Sequence, residues 1–241
     1  LAPFYVKQTD GFVALSDSVV QDIASLDREQ KPKTFSPHPV YDHYGEKMDR
    51  KDACVALGLD DRKRYMLFFG LVRAYKGLDL LLDAFAKVKD DLKDLQLIVA
   101  GEFYEDEDQY WTQIKNNGLA DRVIVRNEFV ADADLRKYFG AADLIVQPYK
   151  TATQSGVTQV AFHFEKPCLV TNVGGLGEII HHGKMGYAVD PQVDAIVEGL
   201  KDYYQNDRQE AFTKYLIKEK ELYGWDIMAQ AFYRILLHLE K

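Results

Sequence analysis

From Lys51 onward, short apolar runs alternate with helical patterns, and this alternation decides most of what the chain can fold into. The apolar runs are Tyr65–Phe69, Leu95–Ala100, Arg122–Val125, Leu144–Gln147, Cys168–Thr171 and Tyr187–Val189. Between the first two, Leu78, Leu81, Leu82, Phe85 and Val88 recur on one helical face, and Leu135, Tyr138 and Phe139 do so more briefly. Strands separated by helix-length intervals pair in parallel, with helices covering both faces of the sheet. After Val189 the pattern turns helical: Val193–Tyr204, Glu210–Lys220, and a last helix from Trp225 to the end with Ile227, Met228, Ala231, Phe232, Ile235 and Leu236 on its apolar stripe. The predicted fold class is α/β, a doubly wound parallel sheet with a helical C-terminus.

Ahead of this region the punctuation changes. Lys31-Pro32-Lys33, Ser36-Pro37-His38-Pro39 and a polar run through Arg50 read as an extended linker, because each proline disfavours helix before it. Before the linker, Gly11–Leu15 reads as a buried strand, and Ser16-Asp17-Ser18 as the cap of a helix carrying Val19, Val20, Ile23 and Leu26. The first residue is Leu1, not Met, and no basic-then-apolar leader follows, so the sequence reads as a fragment.

Composition narrows the function. Among 241 residues, 30 Lys and Arg face 38 Asp and Glu, a formal charge of −8, which argues against a nucleic-acid binder needing a basic face. Two cysteines, Cys54 and Cys168, are too few for a disulfide framework and suit a reducing, cytoplasmic compartment. No apolar run reaches the ~20 residues that span a bilayer.

Ligands of open parallel sheets bind outside the carboxyl ends of the strands, so the turns after strands hold the candidates. The first is Gly70–Gly77, where Arg73 and Lys76 could hold a diphosphate at a helix start, or be solvated loop charges. The second runs from Gln147 to Gln159. Its Gln154, Ser155, Gly156, Val157, Thr158 and Gln159 offer amides, hydroxyls and exposed N–H groups for a sugar or phosphate, or form a polar connection capped at Ser155. The third is Thr171–Glu178, leading into a short helix. Gly174 and Gly175 imply positive φ or close approach, and Glu178 is either a ligand contact or a carboxylate satisfying a helix N-terminus.

Other features carry less. His181-His182 lacks a third metal ligand and reads as a helix end, and Glu102–Asp108 reads as a solvated helix start. No metal site is expected. Walker, Gly-x-Ser-x-Gly and Gly-x-Gly-x-x-Gly signatures are all absent.

The ordered set Phe69-Gly70 … Lys76-Gly77, Val99-Ala100-Gly101, Ala142-Asp143 … Gln147-Pro148, Lys166-Pro167, Val173-Gly174-Gly175 … Glu178 and Gly183 … Gly186 resembles the group 1, glycogen-synthase-like retaining glycosyltransferases of the GT-B fold. The resemblance covers their Rossmann-like, donor-binding C-terminal domain, from about Pro37 onward. It implies residues 1–33 as a remnant of the N-terminal acceptor domain, 34–50 as interdomain linker, 51–224 as nucleotide-sugar-binding domain and 225–241 as a cross-over helix. Lys76 matches the lysine that pairs with the donor diphosphate. Leu71 stands where an arginine usually follows the first glycine, with Arg73 as its substitute. The family's two glutamates are replaced by Thr151 and Gln159 in an ungapped reading, or by Ala152 and Val160 counting back from Pro167.

The resemblance implies a UDP- or GDP-linked sugar donor, Arg73 and Lys76 stabilising the leaving diphosphate, and no metal or other cofactor. Gly70, Gln154–Gln159, Gly174, Gly175 and Glu178 would line the donor site. The acceptor would be a glycan or lipid-linked glycan, any membrane contact would come through the missing domain, and the fragment could self-associate. A non-catalytic nucleotide-sugar-binding domain is the alternative.

Overall fold

The computed structural model describes residues 2–41, 43–104 and 106–240; Asp42 of the linker, Glu105 of the acidic run and Lys241 at the end of the last helix lie outside the described residues, as does Leu1. The chain opens with α1 (Ala2–Gln8), β1 (Phe12–Ala14), α2 (Asp17–Leu26) and β2 (Lys33–Phe35). It continues with α3 (Arg50–Leu57), β3 (Arg64–Phe69), α4 (Leu78–Val88), β4 (Leu95–Ala100), α5 (Asp108–Asn116), β5 (Val123–Arg126), α6 (Leu135–Ala141) and β6 (Leu144–Gln147). Then follow α7 (Gly156–His163), β7 (Cys168–Thr171), β8 (Gly186–Val189), α8 (Val193–Gln205), α9 (Gln209–Glu219) and α10 (Trp225–Leu239).

β3 to β8 form one parallel sheet in the order β5-β4-β3-β6-β7-β8. The strand alternation feeds two cores. Met66 and Phe68 of β3, with Leu95, Leu97 and Val99 of β4, pack under α4, α5 and α8. Tyr65 and Leu67, with Ile98 and Ala100, pack under α3, α6 and α7. Burial on both faces is why these strands read as continuous apolar runs. The order reverses direction at β3: β4 lies on one side of it and β6 on the other. The crevice between the β3 and β6 loops is therefore the topological switch point, where this architecture takes its ligands.

Residues 2–35 form a smaller unit. β1 and β2 pair in parallel, and α10 packs against both. The extended reading from Lys31 onward thus needs a correction, since Lys33–Phe35 is a strand; residues 36–41 and 43–49 have no helix or strand. β1 is only half-buried at Phe12 and Val13, with Ala14 buried, because its sheet has two strands. The segment before β1, to which the sequence pattern assigns no element, is helical as well. Residues 174–179 are turns, not a short helix, and His181-His182 follow those turns. Glycines at 174, 175 and 177 explain why no helix propagates there. On α10, Ile227 and Ile235 are half-buried against the first unit, whereas Phe232 is 54% exposed and Tyr233 and Leu236 are also open.

Candidate functional site

Two loops are stitched together at the switch point. A Cβ on Gly77 (φ 70°) would stand 2.0 Å from the Pro148 carbonyl oxygen, so only glycine allows the β3 loop to approach the β6 loop this closely. One step away, the Lys150 N–H donates to the Tyr75 carbonyl at 2.7 Å. The 3-10 turn Ala74–Lys76 then aims Lys76 inward.

Lys76 is 9% exposed. Its ammonium sits 5.6 Å from the centre of the Tyr149 ring, and no described carboxylate or carbonyl takes a hydrogen bond from it. Burial pushes it down to about 8, with the Arg73 charge adding to the shift. A buried cation without a counter-ion is costly unless a ligand supplies one. Tyr149 is itself buried, its hydroxyl pushed up to about 12, 3.3 Å from Ser155 Oγ.

Facing Lys76 is the start of α7. Ser155 occupies the N-cap position, but its hydroxyl caps no N–H, and among the described residues nothing accepts from the N–H groups of Gly156 and Val157. Lys76, Tyr75, Tyr149 and residues 152–157 line a cavity of about 390 Å³. A buried cation and open helix N–H groups in one cavity suit a phosphate group.

A second cavity of about 380 Å³ lies on the other side of Gly70, under Tyr44, Leu71, Glu102, Phe129, Val130 and Asp132. Gly70 lines it and has φ 95°. Gly101 (φ 138°) forms its floor, where a Cβ would stand 2.3 Å from the Gly70 carbonyl oxygen. Phe69, Leu135 and Val160 supply apolar wall. A third cavity, about 500 Å³ beneath α1 and α2, has its buried charges already paired: Lys33 bridges Asp27 at 2.8 Å and Lys31 donates to the Val6 carbonyl at 3.0 Å.

The residues expected from the sequence fall into three groups. Lys76, Gln154, Ser155, Gly156 and Val157 share the first cavity, with Gly70 at its edge. Arg73 is not part of that wall. Its guanidinium lies 4.2 Å from the Tyr104 ring centre, and its Nε is buried without a partner. Thr158 and Gln159 sit behind: Thr158 exchanges hydrogen bonds with Gln147, while Gln159 is fully buried with both amide atoms unpartnered.

Gly175 and Glu178 meet the first unit instead, whereas Gly174 packs on the Ala152–Thr153 main chain that walls the first cavity. A Cβ on Gly174 (φ 51°) would stand 1.9 Å from the Ala152 carbonyl oxygen, and one on Gly175 would stand 2.6 Å from Ser16 Cβ. The Asp17 and Ser18 N–H groups donate to the Glu178 carboxylate at 2.9 and 3.2 Å, while Gln154 donates to the Leu15 carbonyl at 2.7 Å. Glu178 therefore does satisfy a helix N-terminus, but that of α2, 160 residues earlier in the chain.

Sequence reasoning missed the second cavity. Its signals are Gly70 and Gly101, each directly after a strand, while Glu102 sits in a run that reads as solvated. Among the described residues no cluster of three or more His, Cys, Asp or Glu is placed to hold a metal ion, and no helix is long and apolar enough to cross a membrane.

Residues 49–219 match the family model described as glycosyl transferases group 1. The chain belongs to that family. It is similar to the lipopolysaccharide core biosynthesis mannosyltransferase LpsB of Rhizobium meliloti, at 28% identity over 75% of this chain and 50% of that protein. It is also similar to the N-acetyl-alpha-D-glucosaminyl L-malate synthase of Bacillus anthracis, at 25% identity over 84% of this chain and 53% of that protein. The chain thus spans about half the length of these relatives. Among solved structures it matches sucrose-phosphate synthase from Thermosynechococcus elongatus with a TM-score of 0.83, at 18% identity over 98% of this chain and 60% of that one. It matches Anabaena HepE in complex with UDP and glucose with a TM-score of 0.76, at 18% identity over 96% and 63%. The sheet domain of this group 1 chain is thus the Rossmann-like half of a GT-B architecture.

Proposed function

We propose that this chain holds the nucleotide-sugar donor of a retaining glycosyltransferase. The observation that carries the reading is Lys76, a buried cation with no counter-ion, facing the open N-terminus of α7. The donor diphosphate fits there, supplying the missing negative charge, and the base reaches across Gly70 into the second cavity. In this reading residues 1–33 belong to an acceptor domain, 34–50 form the linker, 51–224 bind the donor and 225–241 cross back.

Cleaving the bond between sugar and diphosphate builds negative charge on the leaving group. Lys76 and the Gly156 and Val157 N–H groups stabilise that charge, and Arg73 joins them by swinging off Tyr104. These groups supply the counter-charge with no metal. Gly174, Gly175 and Glu178 border the sugar end from the loop that rests on α2. The acceptor is a glycan or lipid-linked glycan, a class to which the printed name of LpsB lends support. The free cysteines Cys54 and Cys168 suit a cytoplasmic site.

Calorimetry with a nucleoside diphosphate tests the reading. Hydrogen bonds to charged groups contribute about 1.5–3 kcal/mol, so Lys76→Ala and Arg73→Ala should each weaken binding roughly 10- to 150-fold. Affinity with magnesium and with excess chelator should agree within about threefold, well under the ~1.4 kcal/mol of a tenfold change. Unchanged affinity in both variants would remove the site. A second reading, a non-catalytic nucleotide-sugar binder, is favoured by one observation: among the described residues no carboxylate lines the Lys76 cavity. Release of free sugar or transfer to any acceptor from a bound nucleotide-sugar excludes it.

A further inference from the structure

We infer that the second cavity selects guanine, so that the donor is a GDP-linked sugar; the inference rests on the nucleotide-sugar reading above. Its apolar walls, Phe69, Leu135 and Val160, suit a flat base, and Phe129 offers an exposed ring at the rim. The charged side chains of its lining are all acceptors. Glu102 and Asp132 present carboxylates, Tyr44 presents a hydroxyl, and among the described residues no Lys, Arg, Asn, Gln, Ser or Thr lines the cavity.

An ionised carboxylate only accepts hydrogen bonds, and it accepts two parallel ones best. Guanine is the nucleobase whose Watson–Crick edge sets two donors side by side, N1–H and N2–H2. Uracil offers one N–H flanked by two carbonyls, and adenine an amino group beside an acceptor nitrogen; each turns lone pairs toward a carboxylate. The charge layout also fixes the direction of the ligand. The buried, unpartnered Lys76 lies on the far side of Gly70, 3.0 Å from where its Cβ would be. A diphosphate is drawn to that side and repelled by the two carboxylates, which leaves the base facing them.

Glu102 is the reader. Its main chain is fixed, because the Val72 N–H donates to its carbonyl at 2.8 Å and holds it just past β4. Among the described residues its carboxylate has no ion-pair partner, whereas Asp132 also borders a neighbouring hollow containing His43 and Arg136. The Glu102 side chain is exposed, so replacing it should leave the fold intact.

The test is calorimetry of GDP, IDP, UDP and ADP against the wild type, Glu102→Gln and Asp132→Asn, with the unfolding midpoint of each. GDP should bind about tenfold or more tightly than UDP or ADP, the lower end of what a hydrogen bond to a charged group gives. IDP, which lacks the 2-amino group, should fall between. Glu102→Gln should erase the GDP advantage, through weaker GDP binding and equal or tighter UDP binding, and keep the midpoint. Three results overturn the proposal: UDP or ADP binding as tightly as GDP, IDP matching GDP, or the preference surviving in Glu102→Gln. If no nucleoside diphosphate binds, the donor reading falls and guanine with it; if they bind with another preference, only guanine is lost.

Discussion

The Lys76 ammonium lies 3.0 Å from the point that a Cβ on Gly70 would occupy. The two residues are six apart in sequence, and the left-handed Gly70 (φ 95°) turns the chain so that the lysine folds back beside it. A charge is thereby held where no described residue gives it a partner. Part of the stability of the unliganded fold is spent on readiness for an anion.

Lys76→Met keeps the aliphatic stem and removes the charge. The cost of an unsatisfied buried polar group is about 1–3 kcal/mol, and each kcal/mol moves the midpoint of a domain this size by ~2–4 °C. The variant should therefore melt roughly 2–12 °C higher than the wild type while losing nucleotide affinity. Thermal unfolding read beside calorimetry checks it. A lower midpoint would mean that the charge has a stabilising partner.

Nucleotide affinity should fall as pH rises through about 8, where burial places the Lys76 titration. Only the protonated amine attracts the diphosphate, and binding raises its pKa, so binding takes up a proton in this range. By linkage the dissociation constant should rise about tenfold between pH 7 and pH 9. For the unliganded fold the sign is opposite. The unfolded lysine holds its proton to 10.5, so this group's penalty shrinks as pH rises from about 8 toward that value. Titration calorimetry in buffers of different ionisation heat reads the proton uptake; none at pH 8 would contradict the assignment.

Gly70→Ala and Gly101→Ala should separate binding from folding. At Gly70 the added methyl meets only the tip of a flexible lysine, so the cost is backbone strain of about 1–3 kcal/mol. That protein should fold and bind nucleotide at least tenfold more weakly, since the methyl displaces the ammonium and the loss exceeds ~1.4 kcal/mol. At Gly101 the methyl meets the Gly70 main chain at 2.3 Å, which cannot yield without opening the β3–β4 pairing. Gly101→Ala should show the larger drop in midpoint. Equal midpoints would refute the distinction.

Glu178→Ala removes the acceptor for two N–H groups at the start of α2. Losing a helix cap costs about 0.5–2 kcal/mol. Hydrogen exchange at Asp17 and Ser18 should quicken, while amides inside β4 stay protected. Unaltered exchange at both residues would show that the contact is absent in solution.

The sheet was largely legible because its strands are buried on both faces. Leu95–Ala100, Leu144–Gln147 and Cys168–Thr171 stand where their apolar runs place them, and α4 follows its leucines. The misses have local causes. In α1 only Val6 is buried, so no amphipathic stripe marks the helix. β2 is three residues long, partly exposed and framed by Pro32 and Pro37, which read as punctuation. On the Lys76 side of the candidate site, glycine and lysine lie within one loop and can be read together. The second cavity draws Tyr44, Glu102 and Asp132 from three distant segments, and only the pairing of β3 with β4 and the docking of α6 bring them together.

The packing of α10 on β1 and β2 joins the two ends of the described chain. The region that carries the family's pattern, residues 49–219, contains neither. A protein trimmed to that region would lose both the helix that covers the small sheet and the sheet itself. It would also strand the Glu178 carboxylate and the Gln154 amide without their partners on α2 and Leu15. The loops carrying Glu178 and Gln154 would then slacken even though every residue in them remained. The minimal sequence that defines the family is thus shorter than the minimal sequence that shapes its site.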